Sequence, residues 1–192
     1  MSKTKQEPKV RYGDQMVDLN EPFWKRVESS RDLVKQIPAQ KKSSPEESRS
    51  TASVCHLFLK PMHGAPMRPV QLATAISGEG LQGDASRGRR KRQVLVIELE
   101  TLRDFELNPG DVRENIVVEG LPLAGTAPGT RLKVGHVEFE VTGDCAPCNL
   151  IESLRPGMEQ RIKGHRGTLC RVVTGGVINQ GDPVALIEKP RD

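Results

Sequence analysis

The sequence predicts a mainly β domain, a closed or nearly closed β-barrel of short strands with a few short helices, set behind a polar N-terminal extension. Three observations predict it. From Val54 onward, short runs rich in Val, Ile and Leu are separated by Gly, Pro and Asp. Helical spacing of apolar residues is confined to two stretches of that region. No regular alternation of strands with helices appears, which argues against a doubly wound sheet. With 35% of 192 residues hydrophobic and 28% charged, residues 54–192 can bury roughly two-thirds of their unfolded-chain surface and stand alone.

Residues 1–53 read as an extension with one helix and a flexible linker. Asn20 can cap the helix, Pro22 lies in its first turn, and Phe23, Val27, Val34 and Ile37 recur near helical spacing until Pro38 stops it. Residues 38–53 (PAQKKSSPEESRSTAS) are polar and lack apolar periodicity. The domain follows as 54–192. Its strands are expected at Val54–Lys60, Val70–Ile76, Gln93–Glu100, Asn115–Glu119, Arg131–Val134, His136–Thr142, Leu169–Thr174 and Pro183–Glu188. In HVEFEV, Val137, Phe139 and Val141 share the inward face; in QVLVIELE, Val94, Val96 and Glu98 share one face. Helices are expected at Thr101–Leu107 and from Asn149 to about Lys163, broken at Pro156-Gly157.

Charge narrows the function classes. The first 50 residues hold 11 Lys/Arg against 8 Asp/Glu, and the remainder 18 against 17, so most of the net +4 belongs to the extension. A nearly balanced domain with one Trp, one Tyr and four Phe offers neither the basic surface nor the stacking platforms of a nucleic-acid binder. No run approaches the roughly 20 apolar residues of a membrane helix. The opening MSKTKQEPKV lacks the apolar core of a secretory signal. A cytoplasmic protein without membrane contact is expected.

Three motifs stand out. Gly78-Glu79-Gly80-Leu81-Gln82-Gly83 matches a dinucleotide fingerprint by spacing, but DASRGRRKRQV follows it instead of an amphipathic helix, so a turn between strands is expected. Arg87, Arg89, Arg90, Lys91 and Arg92 form the densest charge cluster: a solvated loop, or an oxyanion site beside a Gly-rich turn. Cys145-Ala-Pro-Cys148 has the spacing of a zinc knuckle, a redox pair or a single reactive thiolate, and two ordinary turn residues would read the same. Zinc would need His165 and Cys170 as further ligands. A helix beginning after Cys148 would favour its thiolate.

The chain from about Val54 to Glu188 resembles the MOSC domain, found at the C-terminus of molybdenum-cofactor sulfurases and as small stand-alone bacterial proteins. GEGLQGD, RQVLVIE, RENIVVEGL, GTRLKVGHVEFEV, CAPC and GGVINQGDPV occur in the family's order. The resemblance implies a barrel-like β fold, molybdenum cofactor (molybdopterin) and a site built around one cysteine. That residue is Cys148, as catalytic residue and metal ligand, with Asp84, Arg92, Arg113, Asn115 and Cys145 around the cofactor. It also implies reduction of N-hydroxylated small molecules with electrons from a separate donor protein. Alternatively, Cys148 carries a persulfide loaded by a sulfur donor, or the domain only shelters the cofactor. One departure is visible: many stand-alone members have a His shortly after the Gly-Asp, where this chain has Ala85-Ser86-Arg87.

Overall fold

The computed structural model describes residues 52–187 and the backbone of residues 9–12 and 15–18. The chain divides into two units, Met1–Glu47 and Ser48–Asp192. In the first, β1 (Lys9–Tyr12) and β2 (Gln15–Asp18) pair antiparallel, with Lys9 opposite Asp18 and Tyr12 opposite Gln15. No strand is expected in this stretch from the sequence, which lacks a clear alternation there. The helix it placed near residues 20–37 lies outside the described residues.

The second unit is mainly β. Its strands are β3 (Ser53–Leu59), β4 (Arg68–Val70), β5 (Leu72–Ile76), β6 (Gly80–Leu81), β7 (Val94–Glu98), β8 (Ile116–Glu119), β9 (Arg131–Val134), β10 (Val137–Asp144), β11 (Thr168–Thr174), β12 (Gly176–Asn179) and β13 (Val184–Ile187). Three short helices interrupt them: α1 (Leu99–Asp104), α2 (Asn149–Leu154) and α3 (Met158–Arg161). Eight strands form one sheet in the order β13-β9-β10-β11-β7-β8-β3-β4, and β12-β5-β6 form a smaller one. All neighbours are antiparallel except β7 and β8. The segment joining that parallel pair carries α1, the crossover that parallel neighbours require.

The ladder ends at β13 on one side and β4 on the other. A single bridge, Ser53 to Pro183, joins the start of β3 to the residue before β13. The closed barrel expected from the sequence is therefore not confirmed; the mainly β class with few short helices is what the structure establishes. Sequence periodicity also missed β12, whose run Gly176–Asn179 is too short to read, and it merged β4 with β5 across Gln71.

The two faces of the large sheet are covered differently. On the inner face, Val137, Phe139 and Val141 of β10 are buried as expected, with Leu57, Val94, Val96, Leu132, Cys170 and Val172. On the outer face, Ile97, Val117 and Phe58 pack against Leu102 of α1, Ile151 of α2 and Met158 of α3. Every residue of β7 is consequently buried, where the sequence reading expected one covered face. Glu98 tolerates this because its Oε1 accepts the N–H groups of Leu123 and Ala124 at 2.7 and 2.8 Å.

Candidate functional site

A cleft of about 620 Å³ opens on the outer face of the sheet. Its apolar floor is Leu95 of β7 and Leu169 of β11, register neighbours that point away from the inner core. The walls come from residues just beyond strand ends. Lys60 follows β3, Arg92 precedes β7 by two residues, Asn115 precedes β8, Cys145 follows β10, and Arg166 precedes β11 by two.

Of the residues singled out in the sequence, Cys145, Cys148, Arg92, Arg113 and Asn115 line this one cleft. Asp84 lies buried behind it. Its Oδ2 accepts the Lys60 backbone N–H and the Asn115 side-chain amide, both at 2.7 Å, and its Oδ1 accepts the Ser86 N–H at 2.7 Å. Asn115 is equally committed: its amide also donates to the Phe58 carbonyl at 3.2 Å and its Oδ1 accepts the Leu95 N–H at 3.1 Å. The Asp84–Asn115 pair thus locks β3, β7, β8 and the Gly-rich segment together, and acts on any ligand through the walls it fixes.

The glycines of GEGLQG adopt positive φ before β6, at its first residue and just after it. No helix opens there, as a dinucleotide site would require. Gln93 fastens this turn, donating to the Gly78 carbonyl at 2.6 Å while its Oε1 accepts the Val172 N–H at 2.8 Å. The arginine cluster then divides. Arg87 pairs with Glu79, Arg89 and Arg92 face the cleft, and Arg90 and Lys91 stay exposed.

The sequence reading missed Lys60, His63, Ser86 and Arg166, which carry no spacing signal. Lys60 donates to the Ser86 hydroxyl at 2.9 Å. Burial holds its ammonium below the usual lysine range against the opposing pull of Asp84, and the nearby Arg113 and Arg89 push the same way as burial. Arg113 sits at φ +66, a strained conformation for a non-glycine residue, and donates to the carbonyls of Ala65 (2.7 Å) and Met62 (3.4 Å). It thereby secures the loop that brings His63 to the cleft, a histidine from a different part of the chain than the one absent after Asp84.

The two cysteines of CAPC occupy opposite environments. Cys148 is exposed at the N-cap of α2, its sulfur in no hydrogen bond among the described residues. The helix is there as expected, but its six residues make any dipole contribution small. Cys145 is 3% exposed. Its Sγ accepts from Arg166 at 2.9 Å and lies 3.6 Å from Arg92. Gly167 makes this possible. Its φ of +94 and its approach to the Val96 carbonyl leave no room for a Cβ, and its own carbonyl accepts the Cys145 N–H at 2.9 Å. The zinc alternative finds no support. His165 lies against Phe105 with ring centroids 6.0 Å apart, Cys170 is in the core, and among the described residues no cluster of three His, Cys, Asp or Glu could hold a metal ion.

Among the described residues, five cations, Lys60, Arg89, Arg92, Arg113 and Arg166, line the cleft, and no carboxylate does. Such a cavity favours an anion, and oxyanions above all, given four guanidinium forks. Cys148 adds an open soft ligand at its edge. No helix among the described residues is long and apolar enough to cross a membrane.

Comparisons with known proteins agree with this architecture. No curated protein matches the chain. Among solved structures, the YuaD protein from Bacillus subtilis superposes with a TM-score of 0.62 at 20% identity, covering 72% of this chain and 97% of that one. YiiM from Geobacillus stearothermophilus gives 0.56 at 19% identity over 71% and 75%, and YiiM from Escherichia coli 0.54 at 19% over 73% and 72%. At these identities the likeness shows the fold. The sequence profile of the MOSC domain matches residues 60–185, well over half of the chain, and the protein therefore belongs to the MOSC domain family.

Proposed function

We propose that this MOSC protein binds molybdenum cofactor in the cleft, with Cys148 as thiolate ligand to the metal, and reduces N-hydroxylated compounds using electrons from a separate donor protein. One observation carries the reading: the cleft joins an accessible, unengaged thiol to five cationic side chains with no carboxylate. A sulfur-ligated metal on a phosphate-bearing pterin needs both features. Arg89, Arg92 and Arg113 would hold its anionic part, Leu95 and Leu169 would floor the site, and Cys148 would meet the metal. The bound group supplies the redox chemistry.

The chain's own residues would position substrate and protons. Reduction breaks the N–O bond, takes two electrons and two protons, and releases water. Lys60 suits proton delivery, because its lowered pKa eases release and Ser86 fixes its ammonium. His63, which lines the same cleft, suits a second proton route. The same open thiol supports a second reading, in which Cys148 carries a persulfide loaded by a sulfur donor.

Expression in a host that makes the cofactor, followed by molybdenum, pterin and persulfide analysis, separates the two. Bound molybdenum and pterin with N-hydroxy reductase activity, both lost in Cys148→Ser with an unchanged melting curve, is the expected result. A persulfide on metal-free protein would select the second reading. Full molybdenum loading in Cys148→Ser would remove Cys148 as the ligand.

A further inference from the structure

We propose that Cys145 and Cys148 form a peroxide-responsive dithiol, in which Cys148 is the thiol oxidised first and Cys145, held by Arg166, closes a disulfide onto it. Four observations carry this. Both cysteines line the same cleft and are separated only by Ala146 and Pro147. Cys148 is exposed and its sulfur is unengaged, so an oxidant reaches it first. The Cys145 sulfur is fixed beside two guanidinium groups, 2.9 and 3.6 Å away, which stabilise negative charge as it builds on an attacking sulfur. Arg166 itself is only 6% exposed, forms no ion pair among the described residues, and leaves its Nε without a partner. Its guanidinium also donates to the carbonyls of Ala146 at 2.6 Å and Val112 at 3.4 Å, contacts that hold it in place beside the Cys145 sulfur.

The other two cysteines supply the contrast. Cys170 lies in the inner core, and burial pushes its thiol up to about 12. Cys55 sits 3.9 Å from Glu119, and burial together with that carboxylate raises its thiol as well. Neither is suited to exchange.

The chemistry balances with a hydroperoxide as oxidant. The Cys148 sulfur attacks the peroxide oxygen, the O–O bond breaks, and water leaves when the oxidant is hydrogen peroxide, giving a sulfenic acid. The Cys145 sulfur then attacks the Cys148 sulfur. The S–S bond forms, the S–O bond breaks, and the departing hydroxide takes the Cys145 proton to leave as water. Two thiols lose two electrons and one peroxide becomes two waters. The disulfide keeps Cys148 off the irreversible steps of sulfur oxidation while no other group occupies it.

This inference is independent of the cofactor reading, so its test uses the full chain made in cells that cannot synthesise the cofactor. Wild-type protein is treated with stoichiometric hydrogen peroxide, denatured and alkylated. Alkylatable thiols should fall from the four in the sequence to two, with a linked Cys145–Cys148 peptide that dithiothreitol releases. Dimedone present during oxidation should capture Cys148 in the wild type, before the disulfide forms. In Cys145→Ser, Cys148 should accumulate as sulfenic and then sulfinic acid; the dimedone readout stands if that variant fails to fold. Wild-type protein that accumulates oxidised Cys148 without the linked peptide would overturn the proposal. So would a disulfide to Cys55 or between chains.

Discussion

The two faces of the same strands are built by different rules. On the inner face, Val94 and Val96 of β7, Cys170 and Val172 of β11, and Phe139 of β10 interlock as apolar side chains set by strand alternation. On the outer face, Leu95 and Leu169 of the same β7 and β11 floor a cleft whose walls hold five cations and two thiols. The wall residues come from the loops and turns where strands end, and they need no periodicity. Polar groups there are either fully committed, as Asp84 and Asn115 are, or left open, as Cys148 is. The inner face is thus given wholly to apolar packing, while the outer face is divided between the helix-covered cluster around Ile97 and Val117 and the cleft that carries the chemistry.

The strongest way to break this division is to remove a large inner-face side chain. Phe139 is fully buried and stands opposite Val172 on one side and Leu132 on the other. Phe139→Ala should cost about 4 kcal/mol by urea denaturation. A loss below about 1 kcal/mol would show that the inner face is not the main source of stability.

Glu114 sharpens the comparison, because it is a charge-bearing group that is buried without lining the cleft. It is fully buried, its Oε1 accepts the Gly110 N–H, and its Oε2 has no hydrogen-bond partner. Burial pushes its carboxyl from 4.5 up to about 7, Asp111 adds to the rise, and backbone N–H bonds from Gly110 and Val112 oppose it. A folded-state value above the unfolded one means that the protonated form is favoured on folding. The associated stability is present below about pH 4.5 and is lost as pH rises through about 7, on the order of 3 kcal/mol in all. Glu114→Gln should flatten the stability–pH curve across that window and stabilise the protein above it. Parallel curves for the two proteins would show that Glu114 carries no such penalty.

The contrast between faces also explains what the sequence disclosed. Period-2 alternation revealed β10 through Val137, Phe139 and Val141, and all eight expected strand positions correspond to strands of the structure. It failed where the run is too short or alternation is absent, in the four-residue β12 and in the β1–β2 pair, and in β7 it located the strand but not the burial of both its faces. At the cleft, CAPC and the arginine cluster were visible because they are dense in sequence. Lys60, His63 and Arg166 were not, because each is a lone residue near a strand end and only the register of β3, β10 and β11 brings it to the cleft. Arg166 is the instructive case. Flanked by His165 and Gly167 in a polar run, it reads as a surface residue, yet the close approach of Gly167 to β7 carries it inward to the Cys145 sulfur.

The finest test separates two neighbours within the arginine cluster. Arg89 and Arg90 are both exposed, and neither forms an ion pair among the described residues. Each Ala variant removes one positive charge, and each should change stability by no more than about 0.5 kcal/mol. Only Arg89 lines the cleft. If the cleft recognises oxyanions through directed guanidinium contacts, Arg89→Ala should weaken binding of inorganic pyrophosphate about tenfold, the equivalent of one charge-assisted hydrogen bond. Arg90→Ala should act only through its distant field, which salt near 0.15 M screens beyond about 8 Å. Calorimetric titration of wild type and both variants at low and physiological salt distinguishes the cases. A deficit confined to Arg89→Ala that persists in salt places recognition inside the cleft. Equal losses for both variants that vanish in salt would mean that the loop attracts anions by net charge alone, and the cleft wall would lose Arg89 as a specific contact.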